Sequence, residues 1–141
     1  MPRSLPCLTV LALAALVGCE AQPAARGPVV PVASTEQFDL TIGQANQPVL
    51  ADFYAQWCGP CERLEPRLAE LAAEYEGRVR FVRVDINDAP RLAKRYEIRR
   101  IPTILVISNG RVVRRMGYDS SAAYRKALNA ALGATPAAGA M

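Results

Sequence analysis

The chain has no histidine among its 141 residues, and this absence removes several kinds of catalytic and metal site. Serine and cysteine nucleophiles that depend on a histidine base are excluded, and so are zinc sites that need an imidazole ligand. Any chemistry must therefore use cysteine, carboxylate or backbone groups. We predict neither a bound metal ion nor a cofactor.

Lysine is scarce as well, because arginine supplies fifteen of the 17 basic residues, which face 13 acidic ones. The formal net charge of +4 is small and no five-residue stretch is entirely basic, so we predict no nucleic-acid partner. With 51% hydrophobic and 21% charged residues, a chain of this length can bury the core of about one domain. We expect a monomer.

No hydrophobic run is long enough to span a membrane. Residues 5–17 are mostly apolar, carry no charge and follow Arg3. As a helix, this run would reach only about 20 Å across a hydrocarbon core of roughly 30 Å. A charged start followed by a short apolar stretch is typical of a signal peptide, which we place at residues 1–18.

The signal peptide ends in Leu16-Val17-Gly18-Cys19, which resembles the lipobox of bacterial lipoproteins. The resemblance implies cleavage before Cys19 and acylation of that cysteine. The alternative is an ordinary secretory signal with a chance cysteine, and either signal exports the protein. We expect a bacterial envelope protein, lipid-anchored and facing the periplasm or another extracytoplasmic space. Glu20 is not the aspartate of an inner-membrane retention signal, which favours the outer membrane where two membranes exist.

Composition and pattern divide the rest of the chain into three parts. Residues 19–34 contain three prolines and no helical or alternating period, so we predict the lipidated cysteine and an extended tether there. Residues 35–132 are predicted to form the folded domain. Residues 133–141 are mostly small and are predicted to be a flexible tail.

Strand-like and helix-like patterns alternate within the domain. Strands are predicted at 49–55, 79–85, 103–108 and 111–116, and helices at 35–44, 59–76, 89–96 and 120–132. Asn109-Gly110 is typical of a tight hairpin turn between the last two strands. This order predicts an α/β fold with a central mixed β-sheet and helices on both faces.

Cys58 and Cys61 lie where a predicted strand gives way to a long helix, in the sequence WCGPC. A cysteine at a helix N-cap lies beside unpaired N–H groups and the positive end of the helix dipole, which lower its pKa below about 8.5. Cys61 follows on the same helical face, close enough to bond to Cys58. Gly59 gives a partner access to the backbone, and Pro60 fits the first helical turn. Such a pair can cycle between dithiol and disulfide.

Two other interpretations of the cysteine pair are open. It could be half of a zinc site, although without histidine such a site would need carboxylates as further ligands. It could also be an inert structural disulfide, although a loop of two residues removes little entropy from the unfolded chain. Redox catalysis is favoured over both.

Several separated motifs resemble the thioredoxin family, and together they cover residues 35–132. The motifs are DFYAQWCGPC (residues 52–61), Pro66 in the following helix, VDIN (84–87), RYEIRRIPT (95–103), and Asn109-Gly110 followed by the turn at Gly117. The resemblance implies the thioredoxin fold and dithiol-disulfide exchange on protein substrates. It also implies that Cys58 is the attacking thiolate, that Cys61 is the resolving thiol of a Cys58-Cys61 redox disulfide, and that Pro102 is the cis-proline facing it.

A substrate-binding rim is predicted around the cysteine pair. A cis bond before Pro102 would expose the backbone of Ile101, so that an extended substrate can add a short strand. The other members of this predicted rim are Trp57, Gly59, Pro60 and Gly117. The alternative is that all of them are ordinary loop and turn residues.

Asp52 interrupts an otherwise apolar central strand, so we expect it to be buried with a raised pKa. It lies six residues before the cysteine motif, at the end of the same strand. That position suits a base that takes the proton from Cys61 through a water molecule. The alternative is a structural aspartate whose carboxylate is satisfied by its neighbours.

Three residues depart from the family pattern. Arg83 stands where the family usually has a lysine near the buried carboxylate, and a guanidinium stays charged and forks its hydrogen bonds. Glu62 stands where lysine is usual after the second cysteine, and its negative charge disfavours the Cys58 thiolate. Tyr54 replaces a common tryptophan. These changes affect the expected redox potential more than the expected activity.

We therefore predict an exported protein-disulfide reductase that receives electrons from a membrane thiol reductase. A disulfide oxidase, an isomerase or a thiol reductase of cytochrome c maturation is the alternative within the class, although Gly59-Pro60 resembles the reducing members. A surface binding or holdase module with a cysteine pair that does not cycle is the alternative from another class.

Overall fold

The computed structural model describes residues 29–134. Its elements in chain order are β1 (Val29–Val32), α1 (Thr35–Gly43), β2 (Val49–Tyr54), α2 (Gly59–Glu74), β3 (Arg80–Asp85), α3 (Pro90–Arg95), β4 (Thr103–Ser108), β5 (Arg111–Met116) and α4 (Ser121–Ala134). The predictions on the signal peptide, on Cys19 and on most of the tail lie outside the described residues. Among residues 29–134, no helix combines the length and the apolar character needed to cross a bilayer.

The sheet has five strands in the order β1-β3-β2-β4-β5. The first three strands in this order are parallel, whereas β4 runs antiparallel to β2 and β5 runs antiparallel to β4. The mixed sheet of the sequence prediction is therefore confirmed. Asn109 and Gly110 both have positive φ, 51° and 72°, as the tight turn between β4 and β5 requires.

Alternate residues of the central strands face two separate cores, as the period of two in a strand demands. Leu50 and Phe81 lie in the core under α2 and α4, together with Leu64, Leu68 and Tyr124 of those helices. Phe53 and Val82 lie in the core on the opposite face, with Phe38 of α1 and Leu92 of α3. The helices thus cover both faces of the sheet, as predicted.

Both predicted domain boundaries are wrong by a few residues. Residues 29–32, assigned to the tether, form β1 and pair with β3, and Val32 is 3% exposed in the core under α1 and α3. Helix α4 extends to Ala134, two residues into the predicted tail. Pro31 is tolerated in β1 because an edge strand needs ladder hydrogen bonds on one side only. A proline-rich composition therefore does not exclude a strand at the edge of a sheet.

Candidate redox site

Cys58 lies at the N-cap of α2, directly after the loop that follows β2. Its backbone is extended, with φ of −91°, and its sulfur accepts a hydrogen bond from the backbone N–H of Cys61 at 3.3 Å. The sequence prediction placed this sulfur beside the unpaired N–H groups of the first helical turn, and the structure confirms that placement. The helix terminus is therefore arranged to stabilise a thiolate on Cys58.

Cys58 and Cys61 are joined by a disulfide, with their Cα atoms 5.3 Å apart. Only 5% of Cys58 and 1% of Cys61 is exposed, whereas the adjacent Trp57 is 72% exposed. The disulfide therefore lies just below the surface, beside a large aromatic side chain that is free to contact a partner. Gly59 and Pro60 are exposed on the same turn.

The loop before β4 lies against the disulfide. Ile101 packs on the small buried cluster formed by Ala55 and the two cysteines, and the bond between Ile101 and Pro102 is cis, as predicted. A Cβ placed on Gly117 would lie 3.9 Å from the Pro102 carbonyl oxygen, so this glycine borders the same loop. The structure thus brings Ile101, Pro102 and Gly117 together beside the cysteines, although they come from two separate loops.

Tyr124 of α4 supports the Gly117 turn, a role that the sequence analysis did not predict. Its hydroxyl donates to the Gly117 carbonyl at 2.6 Å and accepts from the backbone N–H of Asp119 at 3.0 Å. Burial raises the pKa of Tyr124 to about 12. The sequence showed only an amphipathic helix here, and that pattern does not distinguish a tyrosine that packs from one that also holds a turn.

Asp52 of β2 is completely buried on the face covered by α2 and α4. Its Oδ2 accepts a hydrogen bond from Nε of Arg83, its neighbour on β3, at 3.1 Å. Its Oδ1 has no hydrogen-bond partner among the described residues. Burial raises the pKa of Asp52 to about 6, although the Arg83 charge acts to lower it. The expected burial of this carboxyl is confirmed, and the direction of its pKa shift agrees with the expectation.

Arg83 is shared between two carboxylates. Its Nη1 lies 2.9 Å from Oε1 of Glu65 on α2, while its Nε contacts Asp52. Its guanidinium also lies 3.9 Å above the centre of the Tyr54 ring. Tyr54, Glu65 and Arg83 border a cavity of about 280 Å³ between α2 and the β1 edge of the sheet. The pair of Arg83 with Asp52 is thus a single contact, and Arg83 links the buried carboxyl to an exposed one.

Glu65 was not singled out in the sequence. Four residues after Cys61, it lies on the solvent side of α2, where a glutamate is ordinary. Only the packing of α2 over β3 brings its carboxylate to Arg83. Within residues 29–134, no group of cysteine, aspartate and glutamate side chains is arranged to hold a metal ion.

The sequence profile of the Thioredoxin family matches residues 29–131. The chain belongs to the thioredoxin family. The matched region begins at β1 and includes the cysteine pair, the cis-proline loop and Gly117. The thioredoxin fold predicted from the motifs is therefore confirmed.

Individual relatives support the same family assignment. Thioredoxin from Chlorobaculum thiosulfatiphilum is 40% identical over 84 residues, which are 60% of this chain and 78% of that protein. Thioredoxin M-type of Brassica napus chloroplasts is 37% identical over 92 residues, 65% of this chain but 51% of the relative, so the chain spans about half the length of such chloroplast relatives. The crystal structure of oxidised mitochondrial thioredoxin 3 from Saccharomyces cerevisiae is 29% identical, covers 72% of this chain and 94% of its own, and has a TM-score of 0.67.

Proposed function

We propose that this protein is a thiol-disulfide oxidoreductase that reduces disulfides of other proteins through Cys58 and Cys61. The observation that carries the proposal is the bonded cysteine pair at the N-terminus of α2, with Cys58 as the N-cap and the cis-proline loop packed against it. This arrangement offers a stabilised thiolate, a second sulfur within bonding distance and an adjacent backbone edge for an extended substrate.

The reaction begins from the reduced pair. The Cys58 thiolate attacks one sulfur of the client disulfide, a mixed disulfide forms, and the other client sulfur leaves as a thiolate. Cys61 then loses its proton and attacks the Cys58 sulfur. The second client thiolate leaves, and the Cys58-Cys61 disulfide forms. Two electrons have moved from this protein to the client, and a thiol reductant must return them.

Asp52 is the proposed base in the second step. A carboxylate with a pKa of about 6 is largely ionised at neutral pH and is still a better proton acceptor than an ordinary aspartate. Its unpartnered Oδ1 leaves one acceptor position open. Water is the proposed carrier of the proton from Cys61 to this oxygen.

We also propose that the protein is exported and lipid-anchored through Cys19 in a bacterial envelope, facing the periplasm or another extracytoplasmic space. The lipobox-like residues 16–19 support this localisation. In that compartment the electrons would come from a thiol reductase in the membrane. The outer membrane is favoured in a host with two membranes because Glu20 follows the cysteine.

Insulin reduction with dithiothreitol tests the catalytic assignment. We expect Cys58→Ser to abolish turnover, because no other described thiol lies at the helix N-cap. Cys61→Ser should form long-lived mixed disulfides with client proteins, since attack needs Cys58 alone and release needs Cys61. If reduced Cys61 is alkylated by iodoacetamide before Cys58, the two roles are reversed.

The same experiments separate the alternatives. A holdase would protect unfolded clients equally well with and without Cys58, and would show no turnover. An oxidase or an isomerase would be distinguished from a reductase by the equilibrium potential against glutathione, which separates oxidants from reductants. A potential of about −270 mV is typical of a disulfide reductant, and a potential of about −120 mV is typical of a strong oxidant.

A further inference from the structure

A groove rich in arginine runs beside the candidate redox site. It has a volume of about 440 Å³ and lies between the loop that precedes β4 and the end of β5. The residues that define this basic groove are Glu97, Arg99, Arg100, Thr103, Arg115 and Gly117.

The basic groove is continuous with the predicted substrate-binding rim. Thr103 directly follows Pro102, and Gly117 lies against the Pro102 carbonyl. On the other side of the same loop, Ile101 packs against the two cysteines. A polypeptide whose disulfide reached Cys58 along this loop would therefore place its neighbouring residues over the groove.

The charge of the basic groove is unbalanced. Three arginines line the groove, but only one acidic residue, Glu97. Arg99 and Arg100 are exposed, and neither forms an ion pair with any residue in the part of the chain that the structure describes. Three other arginines of the domain are paired with carboxylates: Arg83, Arg95 and Arg125. The groove thus retains positive charge that the domain itself does not neutralise.

One guanidinium of the basic groove and the backbone that carries the other two arginines are held by hydrogen bonds. Nη2 of Arg115 donates to the Tyr96 carbonyl at 2.7 Å, which positions its guanidinium at the groove. The Thr103 hydroxyl donates to the Arg100 carbonyl at 2.6 Å and fixes the backbone that presents the Arg99 and Arg100 side chains. A ligand therefore meets a partly ordered surface, and less conformational entropy is lost when it binds.

We propose that the basic groove binds acidic side chains of client polypeptides, so that disulfides flanked by aspartate or glutamate are the preferred substrates. The proposal rests on the proposed disulfide exchange and names the class of substrate for that same site. Guanidinium groups fit carboxylates because they donate paired hydrogen bonds as well as charge. Complementary charge at an interface raises the association rate and selects among partners.

Reduction of two matched peptides tests this proposal. Both carry one disulfide in the same short sequence, but one has two glutamates beside a cysteine where the other has glutamines. We expect kcat/KM of the wild-type protein to be about tenfold higher for the glutamate peptide at low salt, equivalent to about 1.4 kcal/mol. The ratio should fall in 0.5 M salt, where charges are screened beyond a few ångströms.

The double variant Arg99→Gln and Arg100→Gln should prefer the glutamate peptide over the glutamine peptide by about twofold or less in kcat/KM. Its control is Arg111→Gln with Arg114→Gln, which lowers the net charge equally at exposed positions of β5 outside the groove. The control should keep the wild-type ratio. Equal ratios for wild type and the groove variant, or an equal loss in the control, would overturn the assignment to this groove.

An equilibrium binding experiment tests the basic groove independently of turnover. Fluorescence anisotropy of labelled peptides with serine in place of cysteine should show tighter binding of the glutamate peptide to the wild type than to the groove variant. If the two proteins bind this peptide equally well, the groove does not bind acidic clients, even if turnover is observed. Binding without turnover would overturn the redox function alone.

Sedimentation with phosphatidylglycerol vesicles tests whether the basic groove binds an anionic membrane instead. If the groove variant loses vesicle binding and keeps its peptide preference, the groove serves a membrane and not clients.

Discussion

At the scale of single residues, Asp52 makes the stability of the protein depend on pH. Its carboxyl has an ordinary pKa of about 3.8 in the unfolded chain and a pKa of about 6 when folded. The folded state therefore holds more protons between these values, and stability falls as the pH rises through this window. A difference of about two pH units corresponds to about 3 kcal/mol.

We predict that Asp52→Asn removes this loss of stability at rising pH. The unfolding free energy of the wild type should fall relative to the variant by about 3 kcal/mol between pH 3.5 and 7.5, because asparagine stays neutral throughout. Glu65 remains as a partner for Arg83 in the variant, at 2.9 Å. Urea denaturation of both proteins across this range measures the difference, and a gap that is independent of pH would contradict the raised pKa.

The same substitution tests the proton transfer. Resolution of a mixed disulfide by Cys61 should accelerate in the wild type as the pH rises through about 6, because Asp52 becomes ionised. In Asp52→Asn this acceleration should be lost and the rate at neutral pH should fall. Equal rates from pH 5 to 9 would mean that Asp52 is structural.

Besides Arg83, Glu65 also influences the ionisation of Asp52, because both carboxylates contact Arg83. We predict that Glu65→Gln lowers the pKa of Asp52, because the variant loses a negative charge that repels the Asp52 carboxylate and leaves Arg83 to pair with Asp52 alone. Carboxyl carbon NMR titration measures this shift directly. Glu70→Gln on the same helix is the matched control, because Glu70 is exposed and forms no ion pair with any described residue. An equal shift in both variants would exclude a specific role for Glu65.

At the scale of elements, β1 shows where the sequence pattern was insufficient. The central strands were predictable because β-branched and apolar residues dominate β2 and β4 and alternate with polar ones in β3. The hairpin was predictable because Asn109-Gly110 determines its turn. In contrast, Val29–Val32 contains a proline and lies next to a proline-rich stretch, and only its pairing with β3 makes it a strand.

Two valines of β1 provide a matched test of its packing. Val32 is 3% exposed and Val30 is 42% exposed. We predict that Val32→Ala destabilises the domain by about 2 kcal/mol, because two buried methyl groups are lost from the core under α1 and α3. Val30→Ala has the same change in strand propensity and should cost about 0.5 kcal/mol or less. Equal and small losses in urea denaturation would show that β1 does not contribute to the core.

The candidate site was also only partly predictable from the elements. Cys58 and Cys61 are separated by only two residues, and Asp52 interrupts an apolar strand, so local patterns identify all three. The link from Arg83 to Glu65 and the support of Gly117 by Tyr124 join distant elements. No local pattern records such a contact, because each partner is an ordinary residue of its own helix or strand.

At the scale of the whole molecule, the lipid anchor is the prediction with the largest consequence. We predict that the mature protein from bacterial membranes begins at Cys19 and carries at least two acyl chains, since a single chain gives only marginal attachment. Mass spectrometry of the N-terminal peptide measures this. Cys19→Ser should prevent lipidation, whereas the matched change Cys7→Ser should leave it intact. An unmodified N-terminus elsewhere would contradict the anchor.

The direction of β1 determines how an anchored domain would be oriented. Val29 pairs with Phe81, which pairs with Leu50, whereas the cysteine motif follows the other end of β2. Leu50 and Tyr54 are about 13 Å apart along the strand. The preceding chain therefore joins the domain at the pole opposite the disulfide, and the nine residues between Cys19 and Val29 allow a span of at most about 35 Å. A lipid on Cys19 would therefore attach the domain to the bilayer by the pole opposite Trp57 and the disulfide, which leaves the redox site free to meet water-soluble clients.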